Sequence, residues 1–351
     1  MNFITDNSFM QNSITGKPDL SNLEFGNKVC PHMLVADYDG EWSDSKIVPY
    51  SDLTLSPSTL ALHYGQTVFE GMKAFHMIDG NINIFRIERH YERFVRSLER
   101  MCMAVPPRDM FIEGLKDIVG TDAAWVPPGN GAALYIRPFV YASESRFGVK
   151  ISDQYKFIIF SGPVPELFSK PIRVKVEQDC TRAAKGGTGF AKCGGNYGGA
   201  FYPTRKAKEQ GYDQVLWTDP VQNEFIEESG MMNVIFVINN RLVTPPLSDS
   251  ILDGITRDSL LTLARHSGYE VQERPISVHE LVQAFNDRSI SEAFGAGTAA
   301  VVAPISTIGI HDRDYLLPGY RQESICNILK TKLQQIQSGV EKDLFEWNTI
   351  V

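Results

Sequence analysis

The sequence predicts a two-domain protein that mixes helices and strands, of the α+β / α/β class. Three observations carry that prediction. The chain has 351 residues, beyond the roughly 250–300 at which single cores split. Short runs of period two alternate with longer runs of period three to four, the marks of half-buried strands and amphipathic helices. A proline-rich break, Ser161-Gly-Pro-Val-Pro165 followed by Lys170-Pro171, falls near the midpoint and reads as a linker.

Composition narrows the partners. With 43% hydrophobic and 22% charged residues, a sizeable core forms without a disulfide or metal staple. The net charge of −8 argues against sequence-independent nucleic-acid binding, which needs a basic surface. Cys30, Cys102, Cys180, Cys193 and Cys326 show no CxxC spacing, so free thiols and a reducing cytoplasmic setting are expected. No apolar run approaches the ~20 residues that span a bilayer. Met1 to Ser21 is polar and reads as a frayed arm, not a signal peptide.

Taken in order, residues 23–60 read as short strands and turns, with Asp39-Gly40 a turn signal. The segment from Leu62 to Phe75 is aromatic and glycine-punctuated, and reads equally as a cavity wall or as core. Asp79-Gly80 turns into Ile82–Phe85. Ile87, Tyr91, Phe94, Leu98 and Met101 recur at spacings of four and three, so a helix buries that face. Arg86, Arg89, Arg93 and Arg96 form a second stripe. Such a stripe is usually a solvated face, but one arginine turned inward supplies an anion ligand. A further helix is predicted from Met110 to Val119, and strands over Leu134–Tyr141 and Lys156–Phe160. Period two puts Tyr135 and Arg137 on one face.

The second half opens with the strand Ile172–Val176. A strand follows at Asp213–Thr218, and then a strand pair broken at Ser229-Gly230 with Glu228 at the break. Asn239-Asn240 is a hairpin turn. A helix runs to about Ser267 with Thr256 as its N-cap. Ser277-Val-His-Glu280 is a capping box. Phe294–Val302 reads as a second glycine-rich loop. The final helix, about Tyr320 to Gln337, buries Ile325, Ile328, Leu329, Leu333 and Ile336.

The stretch from Arg182 to Gly199 crowds glycines around Lys192. It reads either as a flexible surface loop or as backbone passing close to a ligand. A P-loop needs glycine at 191 and Ser or Thr at 193; Ala191 and Cys193 stand there. Gly295-Ala-Gly-Thr-Ala-Ala300 matches a dinucleotide fingerprint, but β-like residues and Pro304 follow where a helix should open. Pyridoxal phosphate chemistry needs an amine, a carboxylate at the ring nitrogen, a phosphate cradle and an amino-acid pocket. Lys192, Glu228, and the segments at Ile255-Thr256, Gly297-Thr298 and Arg93 are candidates for the first three.

Several motifs resemble one family. Glu228-Ser-Gly-Met-Met-Asn-Val, Leu242-Val-Thr244 and Leu252-Asp-Gly-Ile-Thr-Arg257 are similar to the signature of fold-type IV pyridoxal-phosphate aminotransferases. Lys185–Tyr197, Phe69-Glu-Gly-Met-Lys-Ala-Phe75, Leu134-Tyr-Ile-Arg-Pro138 and Phe294-Gly-Ala-Gly-Thr-Ala299 resemble branched-chain amino acid aminotransferases, in particular the branch containing the eukaryotic enzymes. The resemblance covers about Leu23 to Trp347. It implies a flexible arm over 1–22, a small α/β domain over 23–164, a linker over 165–175, and a large cofactor-binding domain over 176–351 built on β-sheet with flanking helices.

The resemblance also implies roles. Lys192 matches the lysine that carries pyridoxal 5'-phosphate and moves the proton. Glu228 matches the partner of the pyridine nitrogen, and Tyr197 the tyrosine near the phenolic oxygen. Arg93, Ile255, Thr256 and Thr298 match the phosphate cradle. Phe25, Tyr64, Phe69, Tyr135, Arg137 and Ala299 match the substrate pocket. The implied activity is ping-pong transfer of an amino group between leucine, isoleucine or valine and 2-oxoglutarate, in a homodimer. D-amino acid aminotransferase, aminodeoxychorismate lyase and a catalytically idle cofactor binder are the alternatives. Three positions depart from the pattern. Ile235 replaces an aromatic residue and Met231 a threonine. Ala300 and Ala303 stand where mammalian relatives carry a CxxC pair, so that redox switch is expected to be absent.

Overall fold

The computed structural model describes residues 18, 20–129, 131–166 and 170–351. The expected arm up to residue 17, and the linker residues 167–169, lie outside the described residues.

The first half builds one sheet. It opens with β1 (His32–Asp39), β2 (Glu41–Trp42) and β3 (Lys46–Pro49). The short helix α1 (Leu60–Tyr64) leads into β4 (Thr67–Phe69), β5 (Met72–His76) and β6 (Ile82–Phe85). Helices α2 (Ile87–Arg100) and α3 (Arg108–Thr121) precede β7 (Ala133–Ala142) and β8 (Gln154–Val164). The strands pair in the order β6-β5-β7-β8-β1-β2, with β3 on β1 and β4 on β7. The helix predicted from Ile87 forms because its apolar positions share one face. Phe94 and Leu98 on that face pack with Phe111 and Leu115 of α3 against Phe157 and Ile159 of the sheet.

The second half builds another sheet. β9 (Ile172–Glu177), the turn-length helix α4 (Gly195–Gly198) and α5 (Phe201–Glu209) come first. Then come β10 (Gln214–Thr218), β11 (Ile226–Ser229), β12 (Met232–Ile238) and β13 (Arg241–Thr244). Helix α6 (Ile255–His266), β14 (Val271–Glu273) and α7 (Val278–Asn286) lead to β15 (Ile290–Gly297), β16 (Val301–Ile310) and β17 (Arg313–Leu316). The strand order is β11-β10-β9-β16-β15-β12-β13-β14, and a further β11–β12 pairing closes six of them into a ring. Strand β12 shows why its sequence is apolar at every position except Asn233. Val234 and Phe236 point into the ring core. Ile235 and Val237 point out, to a core shared with Leu260 of α6, Leu329 of α8 (Ile325–Gln337) and Phe75 and Phe85 of the first sheet. That outer core joins the two halves. The last strand, β18 (Asn348–Ile350), returns to pair with β6, so among the described residues each sheet has nine strands.

Several local expectations change. Ser161–Val164, expected in the linker, finishes β8, and β9 begins at Ile172, inside the expected 165–175 linker. The N-cap of α6 is Gly254, not Thr256. A side chain at 254 would put its Cβ 1.8 Å from Asn233 Oδ1, so close approach overrides the usual preference for a hydroxyl. Ser277 does cap α7, accepting from the Glu280 amide at 2.9 Å, but the Glu280 carboxylate is taken by Arg274. Phe294–Gly297 is strand rather than loop, leaving Thr298 to Ala300 as the turn. Ile328 is only half-buried.

The glycine-rich stretch is tied at many points, so the flexible-loop alternative is set aside. Arg100 donates to the Gly186 and Gly187 carbonyls, and Arg182 to those of Gly189 and Ser250. Asn196 donates to the Thr188 and Ala191 carbonyls at 2.7 and 2.8 Å. At Gly189 a Cβ would lie 2.6 Å from Ser250 Cα and 2.6 Å from Ala183 Cβ, whereas Gly195 faces open space. Gly189→Ala is therefore expected to lower unfolding stability by about 1–3 kcal/mol, and Gly195→Ala by under about 0.5 kcal/mol. Urea denaturation of the two variants checks this, and equal losses would contradict it.

Candidate active site

The candidate residues come from both sheets. Phe25 precedes β1, Phe69 ends β4, Arg93 sits on α2, and Tyr135 and Arg137 lie on β7. Glu228 is on β11, Ile255 and Thr256 open α6, and Thr298 and Ala299 form the β15–β16 turn. Lys192 and Tyr197 belong to the glycine-rich stretch. The chain reaches them from the second sheet, but Lys192 is held by the first. Its carbonyl accepts from the Phe69 amide at 3.0 Å, and its own amide donates to Ser97 Oγ at 2.9 Å.

From Lys192 a continuous run of contacts leads to Phe25. Lys192 Nζ donates to the Tyr197 hydroxyl at 3.1 Å and stands 4.7 Å from the Phe69 ring centre. The Phe69 and Tyr197 rings are 5.2 Å apart. On its other side Phe69 meets the Arg137 guanidinium at 4.7 Å, which also donates to the Tyr135 hydroxyl at 3.2 Å. Phe25 packs edge-on against Tyr135 at 5.0 Å. Phe25, Tyr135 and Arg137 line a cavity of about 260 Å³. Arg137 Nε is buried there without a partner among the described residues, which favours an incoming anion. Gly71 makes room for this arrangement, since a Cβ would fall 1.9 Å from the Tyr135 oxygen.

The acid and the cradle are held by a second set of contacts. Glu228 is buried, 2.5 Å from Arg182, and accepts from Asn233 and from the Leu252 amide at 3.1 and 3.2 Å. Burial still pushes its carboxyl up to about 7, against the pull of Arg182. Arg93 is buried too. It grips Glu70 through Nε at 2.7 Å and Nη2 at 2.8 Å, and reaches the Asp253 carbonyl at 2.9 Å. Burial alone would raise the Glu70 carboxyl, but Arg93 and then His90 hold it well below the usual range. Ile255, Thr256 and Thr298 line one small cavity with Lys73 and His90, and with apolar side chains that include Phe75, Phe85 and Leu333. Lys73 Nζ donates to the Ala299 carbonyl at 2.9 Å, and burial pushes its ammonium down to about 8.

One expected residue stands apart. Tyr64 ends α1, is 44% exposed, and its ring neighbour is His63. Met231 is exposed, while Ile235, Ala300 and Ala303 are buried; Ile235 acts through packing. Glu70, Ser97, Arg182, Asn233 and Lys73 gained no role from the sequence. Glu70 and Lys73 sat inside the quoted Phe69–Phe75 motif, and Ser97 one helical turn beyond Arg93. The arginine stripe is not wholly a solvated face, since Arg93 is buried while Arg96 stays exposed. Arg86 pairs with Asp258, and Arg89 and Arg96 pair with Asp253.

These groups fit pyridoxal phosphate. An amine beside a phenol suits its carbonyl end. A buried acid whose carboxyl burial raises, despite Arg182 beside it, suits a protonated ring nitrogen. Arg93 uses three of its five N–H groups, leaving two near the positive end of α6 for a phosphate.

Comparison with known proteins adds the family evidence. The amino-transferase class IV family matches residues 67–308. The branched-chain-amino-acid aminotransferase 2 of Bacillus subtilis is 42% identical, over 95% of this chain and 94% of that protein. The crystal structure of a branched-chain aminotransferase from Thermoproteus uzoniensis with norvaline superposes with a TM-score of 0.75 at 27% identity, covering 91% of this chain and 99% of that one. That of the branched-chain amino acid aminotransferase from Thermobaculum terrenum in its PLP form also gives 0.75, at 24% identity, covering 90% and 97%. This last likeness is one of fold.

Glu228 also sets a pH dependence. Its folded pKa of about 7 lies above the ordinary carboxylate value. Its contribution to stability is thus complete at acid pH and is lost as pH rises through about 7. Protein stripped of cofactor should lose melting temperature relative to Glu228→Gln between about pH 5 and about pH 8. Calorimetry of both proteins measures this, and a constant difference would contradict it.

Proposed function

We propose a function from the premise that this chain belongs to the amino-transferase class IV family: it is a pyridoxal-phosphate-dependent transaminase of branched-chain amino acids. The observation that carries this reading is the unbroken run of contacts from Lys192 through Phe69 to Arg137. It places an amine for proton transfer beside a pocket that is apolar in its walls and cationic at one point. Similarity to branched-chain enzymes favours this reading over a D-amino acid aminotransferase, an aminodeoxychorismate lyase or an idle cofactor binder.

Pyridoxal phosphate, when bound, supplies an electron sink for negative charge at the substrate's α-carbon. The protein's residues do the rest. Lys192 is the covalent holder, and its amine, once free, takes the α-proton and later returns it. The Tyr197 hydroxyl at 3.1 Å orients that amine. Glu228 would hold the ring nitrogen in its protonated form, so charge developing in the reaction would be balanced without solvent. Arg93, Ile255, Thr256 and Thr298 hold the phosphate. Phe25, Phe69 and Tyr135 wall the leucine-like side chain, with Ala299 and Tyr64 assigned to it by resemblance alone.

Arg137 takes the distal carboxylate of glutamate or 2-oxoglutarate. One pocket then serves both half-reactions, and the kinetics are ping-pong. The protein works as a homodimer. Exposed apolar side chains, Tyr50, Leu53, Leu62 and Phe147 among them, support this. Its five free cysteines suit the cytoplasm. No helix among the described residues is long and apolar enough to cross a membrane.

Purified protein given L-leucine and 2-oxoglutarate should yield the branched 2-oxo acid and L-glutamate. Turnover only with D-amino acids, or pyruvate release from aminodeoxychorismate, would overturn the reading. Lys192→Ala is expected to abolish turnover and the visible absorption band of the bound cofactor. Arg137→Met is expected to lower kcat/KM for glutamate about 10–100-fold and for leucine by much less. Equal losses would remove Arg137 from its role.

A further inference from the structure

We infer that Ser97 is a positioning residue for Lys192, tying the reactive lysine to the helix that carries the phosphate-side arginine. Ser97 lies on α2, one turn after Arg93, and is 1% exposed. Its hydroxyl donates to the Arg93 carbonyl at 2.8 Å, an ordinary bond for a serine within a helix. The same oxygen accepts the Lys192 amide at 2.9 Å, across 95 residues of sequence, and that bond is the unusual one. The lysine's carbonyl is held by Phe69, Cys193 bridges Val68, and the Gly194 amide donates to the Thr67 carbonyl. Residues 192–194 therefore lie along β4 like an added strand, and Ser97 closes its upper end.

Two ends of one ligand are thereby set by one helix. Arg93 is fixed sideways by Glu70 and lengthwise by the helix. The Lys192 backbone is fixed to the next turn of that helix. The amine has to leave its covalent partner, reach the α-carbon and return. A backbone that drifts by an ångström costs about 100-fold in such a transfer. Without the Ser97 oxygen the Lys192 amide has no acceptor among the described residues, and a part-buried donor left unpaired shifts to find one.

The inference rests on Lys192 being the point of attachment, so the test begins there. The holoenzyme is reduced with borohydride and the modified peptide mapped by mass spectrometry. Holoenzyme carrying Ser97→Ala, Ser97→Cys or Ser97→Thr is then compared for kcat, KM for leucine, melting temperature and the pH midpoint of the visible absorption. Ser97→Ala is expected to lower kcat about 10–100-fold with KM little changed. Its pH midpoint should move towards that of pyridoxal phosphate bonded to free lysine in water. Ser97→Thr, which keeps the hydroxyl, should restore both. If Ser97→Ala does not fold, Ser97→Cys, similar in size but a weak acceptor, is read in the same way. A label on a different lysine overturns the functional reading itself. A label on Lys192, with kcat and midpoint unmoved in folded Ser97→Ala or Ser97→Cys, overturns the role of Ser97 alone.

Discussion

Arg93 can be buried only because Glu70 is buried with it. A lone guanidinium taken out of water costs many kcal/mol, and removing one partner of a buried pair typically costs about 3–5 kcal/mol. The pair is completed by His90 at 2.8 Å, by the Gly71 amide at 3.0 Å and by the Asp253 carbonyl. Those partners come from three places: α2, the β4–β5 connection and the turn before α6. Once the pair is formed, the first sheet, its helix and the start of α6 cannot move independently. The candidate phosphate cradle is assembled by the same bonds that satisfy the charges.

The rest of the α2 stripe extends that seam. Arg86 reaches Asp258 and Ser259, Arg89 and Arg96 share Asp253, and Arg100 holds two carbonyls of the glycine-rich stretch. These pairs are half-exposed, and each is worth little singly. Together they orient one helix face towards the second half of the chain, while the outer apolar core supplies the attraction. Arg86 adopts a left-handed backbone conformation (φ 55°), which a non-glycine residue does not favour. Its contacts with Asp258 and with the Trp347 ring at 4.9 Å offset that strain. The candidate site residues sit where the two halves meet because only there can groups from both sheets face one ligand.

Much of this was legible in the sequence where the cause is local. The apolar face of α2, the largely apolar β12 and the Ser277 cap follow from periodicity and short-range hydrogen bonding, and each stands where it was expected. The misread features have distant causes. Gly254 caps α6 because Asn233 crowds it. Ser161–Val164 is strand because β7 lies beside it. The closure of the ring and the return of β18 leave no local mark. For the site, residue types and motifs pointed to Lys192, Glu228, Tyr135 and Arg137, but not to the groups that hold them. Arg182 sits in the same glycine-rich stretch as Lys192, yet nothing in its neighbours reveals that it turns back towards Glu228. Ser97 shows only as a small residue in a helix, and its bond to Lys192 exists only after both halves have folded.

Arg137 poses the remaining physical problem, since a pocket for leucine should not contain an unpaired cation. The structure resolves it with aromatic faces. The guanidinium lies 4.7 Å from the Phe69 ring and 5.3 Å from that of Tyr135, each such contact being worth roughly 0.5–2 kcal/mol when desolvated. Among the described residues its one side-chain hydrogen bond is to the Tyr135 hydroxyl, and Nε has no partner. The cation is therefore partly satisfied by rings that also form the apolar wall. A branched aliphatic side chain can lie against those rings without stranding a charge. A carboxylate gains the unpaired N–H and a charge-assisted bond, about twice as strong as a neutral one. Under the proposed function the two substrates would use different faces of the same residues, and neither half-reaction would require Arg137 to leave the pocket.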